Sequence, residues 1–465
     1  MSRVCFLNQP ATRLTQRQYG NFMMTQPNTL HSQNTANSEH WLGIDIGTSG
    51  MRALVIPANS RAFDETLATA TESMPFPDRQ DACSEQSPEL WIETLNRLLA
   101  SLAQKTPLNR ITHCILDATS STVLLGSQQG EAWTSARMYD DRRAQPQASR
   151  IARIAPKQSA AHGASSTLAK VMWLEAHQLT VTQREEAHIF HQIDWVNRYL
   201  TGHPVPTDEN NALKLGYDPI HQAWPNWIGE LTQLCLPKVV SPGTPIGSIS
   251  PDLAKRFGFD PSMQIVSGTT DSLAAFLATG AHRIGDAVTS LGSTLALKLL
   301  SDQPIFAPEY GLYSHRLQDR WLVGGASNAG GAVLLKYFDL KTLKQLIAQL
   351  NIQQPSGLDY YPLLSNGERF PINDPTLAPR VTPRPDSDEQ FLQGLLEGLV
   401  AIEALGYQRF ETLGAPRLKR LFTTGGGTQN TAWMALRAQA LPGEMVNVNH
   451  ADAAFGVTRL LGAKA

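Results

Sequence analysis

The sequence predicts an α/β protein made of two similarly built lobes facing a shared cleft. Three observations carry this. Strand-like apolar runs alternate with stretches of helical spacing along most of the chain. A strand running into a turn of Gly, Ser and Thr occurs twice, at Gly47-Thr48-Ser49 and at Gly292-Ser293-Thr294, each at the start of a half-chain. Finally, 465 residues with 42% hydrophobic and only 17% charged side chains can bury large cores, and that balance excludes intrinsic disorder of the whole. The formal charge of −2, from 39 basic and 41 acidic residues, leaves no basic excess for nucleic acid. No apolar run reaches the roughly 18 residues needed to cross a membrane.

The elements follow in order. Residues 1–40 are rich in Gln, Asn and Thr, carry Arg3, Arg13 and Arg17, and have no acid before Glu39. They read as a disordered extension, or as sequence ahead of a true start at Met23 or Met24. Residues 41–46 form a buried strand, 47–50 a tight turn and 51–56 the returning strand. Residues 88–102 are a helix, with Leu90, Trp91, Leu95, Leu98 and Leu99 on one face and Ser87 as N-cap. Strands are expected at 111–117 and 123–125, helices at 167–177 and 186–200, and irregular connections over 202–251. Residues 264–268 are a strand entering a Gly-rich turn, with a helix over 272–279. Strand-turn-strand follows around Gly292, then a helix over 330–338, a proline-rich loop over 355–385 and a long helix over 388–413. A strand at 418–423 leads into Gly425-Gly426-Gly427, and a helix covers 430–439. The lobes divide as 41–281 and 282–465.

Four segments carry candidate chemistry. In Asp45-Ile46-Gly47-Thr48-Ser49-Gly50, small residues let backbone N–H groups approach phosphate oxygens, and the carboxylate can hold Mg²⁺ directly or through water. An ordinary hairpin turn has the same pattern. In Gly268-Thr269-Thr270-Asp271, the aspartate lies where strand becomes helix, as a general base or as an N-cap. Gly425 to Asn430, with Trp433 one helical turn on, can receive a planar base or a phosphate; a tight strand-to-helix turn with a core tryptophan fits equally. Tyr139-Asp140-Asp141-Arg142-Arg143 can bind a polyhydroxyl ligand or form a salt-bridged loop. The chain has no Gly-Lys dipeptide, so no Walker loop. Gly325 to Ala329 falls short of GxSxG and reads as a turn into a helix. His188 and His191, three apart on the expected helix, make no zinc motif. Cys5, Cys83, Cys114 and Cys235 form no CxxC pair, which points to reduced thiols and a cytoplasmic setting.

Taken in order, these motifs resemble the FGGY family of carbohydrate kinases, within the actin/hexokinase-like ATPase superfamily. The resemblance runs from about Trp41 to the C-terminus. It also covers Glu85, Gln86, Pro88 and Trp91, and the closing Ala453-Ala454-Phe455-Gly456-Val457. One departure is Tyr139, where the family usually has Trp. The stretches 117–125, 162–166, 208–214, 290–299 and 310–315 look most like the cyanobacterial and plant D-ribulokinase branch; Ala118 stands where relatives often carry Gly. The resemblance implies two RNase H-like lobes, ATP and Mg²⁺ as cofactors, and a cytoplasmic monomer or homodimer. It implies phosphorylation of D-ribulose at O5, with D-xylulose, L-ribulose or a pentitol as alternative acceptors and a non-catalytic actin-like switch as the other class. It places the ketose against Asp45, Ser120, Asp141 and Asp271, with Asp271 as base and Asp45 at the metal. It places the nucleotide against Gly47, Thr48, Ser49, Gly292, Ser293, Thr294, Gly425, Gly426, Gly427, Asn430 and Trp433.

Overall fold

The computed structural model describes residues 39–58, 60, 65–448, 450 and 452–461. The expectations for residues 1–38, including Cys5, lie outside the described residues. Trp41, Leu42, Ile44 and Ile46 are all buried, so the His40–Ile46 strand is covered on both faces and takes a central place in its sheet. It begins one residue earlier than expected, because His40 already pairs with Pro57. Gly50–Pro57 returns antiparallel and Ala68–Ser73 lies antiparallel beyond it. On the other side Ile111–Ala118 and then Gln264–Thr270 pair in parallel.

The second sheet repeats this plan. Its central Asp286–Leu291 strand pairs antiparallel with Leu295–Ser301, which pairs antiparallel with Arg320–Ala326. On the other side come Arg420–Thr424 and Glu444–Val446, both parallel. The order and directions match those of the first sheet, so the twin turns do mark two lobes of one design. A smaller sheet that includes Cys83–Gln86, Val123–Gly126 and His188–His191 packs under the helices Gln145–Ile154 and Thr167–His177. The large sheets meet through an apolar cluster of Ile115, Val266, Leu273 and Phe276 against Val288, Leu300, Leu322 and Phe422. The short last helix, Ala453–Val457, crosses back onto the first sheet. Its close approach to the helix Asp271–Ala278 requires Gly456, where a Cβ would lie 1.8 Å from the Ala274 carbonyl oxygen.

Several expectations change. Residues 186–200 are not one helix: His188–His191 is a strand, followed by a helix over Gln192–Thr201. Val123–Gly126 needs a partner, and Ile189 and Phe190, good strand formers, supply it by pairing with Leu125 and Leu124. The helix starts where Asp194 reaches back to accept the His191 N–H at 3.0 Å. His188 and His191 therefore share no helix face. Ser87 stands at the N-cap position, but its hydroxyl bonds the Glu89 carboxylate instead of a backbone N–H, and Pro88 opens the helix. The third parallel strand continues past Gly268 instead of turning, with a one-residue register shift between Val266 and Thr269, and the Gly268 backbone there lies against Leu116.

Candidate active site

Three aspartates gather where parallel strands of the first sheet end. Asp45 and Asp117 are register partners on adjacent strands. Thr270 pairs with Ala118, and Asp271 follows as the first residue of the Asp271–Ala278 helix. Burial raises the Asp45 carboxyl above its usual range; a hydrogen bond from Asp117 opposes this, while the charges of Asp271 and Asp452 add to it. Burial pushes Asp117 well up, and the Asp45 charge adds to the shift. As a carboxylate, Asp117 has no donor on either oxygen; once protonated it can donate to Asp45. Asp271 is also raised, mainly by burial, against the Ser272 N–H at 2.6 Å and the charges of Lys298 and Lys214. A raised carboxylate is a stronger base, which suits proton abstraction. The sequence reading missed Asp117, whose signal was an acid ending an otherwise apolar strand.

Both Gly-Ser/Thr turns offer unused donors. The N–H groups of Thr48, Ser49, Ser293 and Thr294 have no hydrogen-bond partner among the described residues, while Gly47 and Gly292 close each turn through the Gly50 and Thr294 carbonyls. Such free N–H groups fit phosphate oxygens. Gly331 donates to the Gly292 carbonyl at 2.9 Å and fixes the second turn from behind, a contact not foreseen. Gly425, at φ 90°, sits where a Cβ would meet the Leu291 carbonyl oxygen at 2.7 Å, so the third glycine turn abuts the Gly292 turn. Gly426 and Gly427 open a short 3-10 turn, and Asn430 caps the next helix by accepting the Trp433 N–H at 3.0 Å. Trp433 corrects an expectation: at 1% exposed it lies in the core beneath Gly427 and faces no base. Mg²⁺ typically uses one or two carboxylates together with phosphates and water. Asp45 beside Asp117 fits that pattern, and no larger cluster of metal-ligating side chains exists among the described residues.

The expected sugar motif is differently arranged. Asp141 is fully buried, and its carboxylate accepts the Ser84 N–H at 2.8 Å and Arg143 at 2.7 Å. It is therefore saturated from within the protein, because Arg143 folds back two residues to chelate it. Arg143 and Arg137 both pair with Glu85 at 2.6 Å, and both guanidinium groups lie 5.0 Å from the Trp173 ring centroid. Tyr139, 43% exposed, and Arg142 are the members of the segment that reach the surface, and Ser120 is half-buried on a turn before Ser121, at φ 65°. Gln86 ties this region to the Gly47 turn, donating to the Pro75 carbonyl at 2.9 Å and the Thr48 carbonyl at 3.4 Å.

Lys170 was not foreseen. It is fully buried, and its Nζ donates to the carbonyls of Ser121 at 2.5 Å and Met138 at 2.9 Å. It thus joins the Ser120 turn to the Tyr139 loop. Burial lowers its pKa to about 7, and a neutral amine still has two protons for these two bonds. Because the folded value lies below the unfolded 10.5, the unfolded chain binds more protons between them, so this group makes stability rise with pH from about 7 to 10.5. Lys170→Met leaves both carbonyls without that donor, at about 1–3 kcal/mol each. Thermal unfolding of Lys170→Met should show that loss as a lower melting temperature than wild type.

The family model for the N-terminal domain of the FGGY family of carbohydrate kinases matches residues 40–278, and that for the C-terminal domain matches 287–464. The chain is 22% identical to a gluconokinase of Bacillus subtilis over 88% of its length and 84% of the relative. It is also 22% identical to a xylulose kinase of the same organism, covering 90% and 87%. Among solved structures it is similar to a xylulose kinase from Lactobacillus acidophilus, with TM-score 0.78 and 17% identity over 91% of this chain and 89% of that one. These names are not ribulokinases, so the finer branch rests on the sequence motifs alone. No described helix is long and apolar enough to cross a membrane. With both domain models matched in order over the two repeated sheets, the chain belongs to the FGGY family of carbohydrate kinases.

Proposed function

We propose that the protein transfers the γ-phosphoryl group of ATP to the terminal hydroxyl of a ketopentose. The observation that carries this is the placement of Asp45 and Asp271 at strand ends on either side of the Ile111–Ala118 strand of one lobe, with a second N–H-rich turn on the other. Phosphoryl transfer depends on positioning and charge stabilisation. Asp271 accepts the proton of the C5 hydroxyl. The Thr48, Ser49, Ser293 and Thr294 N–H groups hold phosphate oxygens from both lobes. Asp45 orients the acceptor and supplies a carboxylate to Mg²⁺, which when bound neutralises phosphate charge. A switch protein without catalysis has no use for Asp271 as a base.

The relatives named xylulose kinase favour D-xylulose; the motif stretches quoted above favour D-ribulose. Epimers differ by a few hydrogen bonds, so acceptor kinetics must separate them. ADP release should be measured with D-xylulose, D-ribulose, L-ribulose, ribitol and gluconate. Highest kcat/KM with one of the ketopentoses supports the reading; preference for gluconate, or no acceptor-dependent ADP release, overturns it. Reaction in the cytoplasm, as the unbridged Cys83, Cys114 and Cys235 suggest, belongs to the same proposal.

A further inference from the structure

We infer that the cavity where the helices Gln145–Ile154 and Thr167–His177 meet Arg184 and residues 230–233 is a second ligand site, for a small phosphorylated sugar or polyol. None of the residues placed at the candidate active site lines it, and the inference stands independently of the kinase reading. Its volume is about 460 Å³, within the roughly 300–1,000 Å³ of small-molecule sites. Arg150, Arg153 and Arg184 share its wall with Glu175, Glu230 and Gln147, beside the buried, apolar Met172 and Leu231.

The arginines are held in place without being neutralised. Arg150 donates to the backbone carbonyl of Glu230, and Arg184 to that of Ala176 at 3.3 Å. Arg153 makes no hydrogen bond, and none of the three is in a salt bridge, among the described residues. Glu175 is engaged elsewhere: its carboxylate accepts the Thr232 hydroxyl at 2.6 Å and the Gln233 N–H at 3.3 Å. Glu185 and Glu186 follow Arg184 on its short helix but lie outside the wall. Gln147, Arg150 and Arg153 stand three apart, so they share one face of their helix, where the two like charges repel.

Three guanidinium groups against two carboxylates leave the wall positive. Each planar fork can take two oxygens of one anion. A phosphate ester meets this with a charge of about −1.5 to −2 at pH 7 and three acceptor oxygens. A carboxylate brings one charge and two oxygens. Gln147 indicates what accompanies the phosphate. Its Oε1 is buried and accepts no hydrogen bond. A phosphate dianion has no proton to offer it, whereas a hydroxyl has. The ligand therefore carries a phosphate for the arginines and a hydroxyl for Gln147, which is the chemistry of a sugar phosphate.

The test titrates the full chain by calorimetry with D-ribose 5-phosphate and with inorganic phosphate. Ribose 5-phosphate should bind at least about tenfold more tightly, because only it brings a hydroxyl to Gln147. Gln147→Leu should remove that preference. Arg153→Gln and Arg184→Gln should each weaken ribose 5-phosphate about tenfold through loss of a charge-assisted hydrogen bond. Binding at the cleft, expected on the kinase reading, stays the same in these variants. Wild-type affinity in both arginine variants, or no binding beyond that at the cleft, overturns the site. Equal affinity for the two probes, or a preference intact in Gln147→Leu, overturns the ligand class. If Arg184→Gln fails to fold, Arg153→Gln decides, since it breaks no hydrogen bond among the described residues. A protein inactive with every acceptor removes the kinase reading and leaves the titration to decide this site.

Discussion

Asp271→Asn is expected to lower kcat by roughly 10²–10⁴-fold while leaving ATP binding within about twofold of wild type. The substitution keeps the oxygen that accepts the Ser272 N–H, so the helix start at Asp271 is preserved. It removes the basic lone pair and the negative charge. Burial holds this carboxyl above its usual range, and only the ionised form takes a proton. Activity of the wild type should therefore fall as pH drops through a value higher than the ordinary aspartate pKa of about 3.9. The variant should lose that acid limb from its residual rate. Stopped-time ADP release across pH, with nucleotide affinity from calorimetry, checks both. Near-normal turnover in Asp271→Asn would remove the aspartate from the role of base.

The positions of Asp45 and Asp271 were legible because each ends a buried strand next to small residues, a pattern local in sequence. What was not legible depends on which way a face turns. Lys298 sits in Leu295-Ala296-Leu297-Lys298, where alternation reads as a strand with one side to solvent; that side faces the other lobe. Lys170 falls within a helix whose residues are buried nearly all round, so sequence spacing could not tell a buried ammonium from one that snorkels outward. Trp433 failed for the opposite reason. It shares a helix face with Leu436 and Arg437, both buried, and that register turns it inward. Asp141 was found by motif, but its chelation by Arg143 depends on a loop that folds back, which spacing does not specify. The strand Tyr313–Leu317 was passed over because Ser314, His315 and Arg316 weaken its apolar alternation, and Arg320–Ala326 because Gly324 and Gly325 read as the approach to a turn.

The second lobe depends on a charged network that the same limits concealed. Glu403 lies on the apolar stripe of the long helix Asp388–Thr412, between Leu399 and Phe410, and is fully buried. Arg437, also fully buried, holds it with two bonds at 2.7 and 2.8 Å and reaches Thr423 at 2.8 Å. Thr289 donates to Glu403 at 2.6 Å and meets Tyr407 at 2.7 Å. Thr289 stands three residues before the second phosphate turn, and Thr423 two before Gly425. The network therefore ties together the strands that lead into the Gly292 and Gly425 turns. Arg437→Met should destabilise the protein by about 3–5 kcal/mol, because a buried carboxylate is left without its counter-charge. Pairing it with Glu403→Leu removes the stranded charge, and most of the lost stability should return, as apolar replacements of buried ion pairs often allow. Nucleotide affinity should not return with it, since Thr289 and Thr423 stay without their shared partners. Thermal unfolding and ATP titration of the single and double variants separate the two effects. Equal stability of single and double variants would mean that the charge pair is not what holds these elements together.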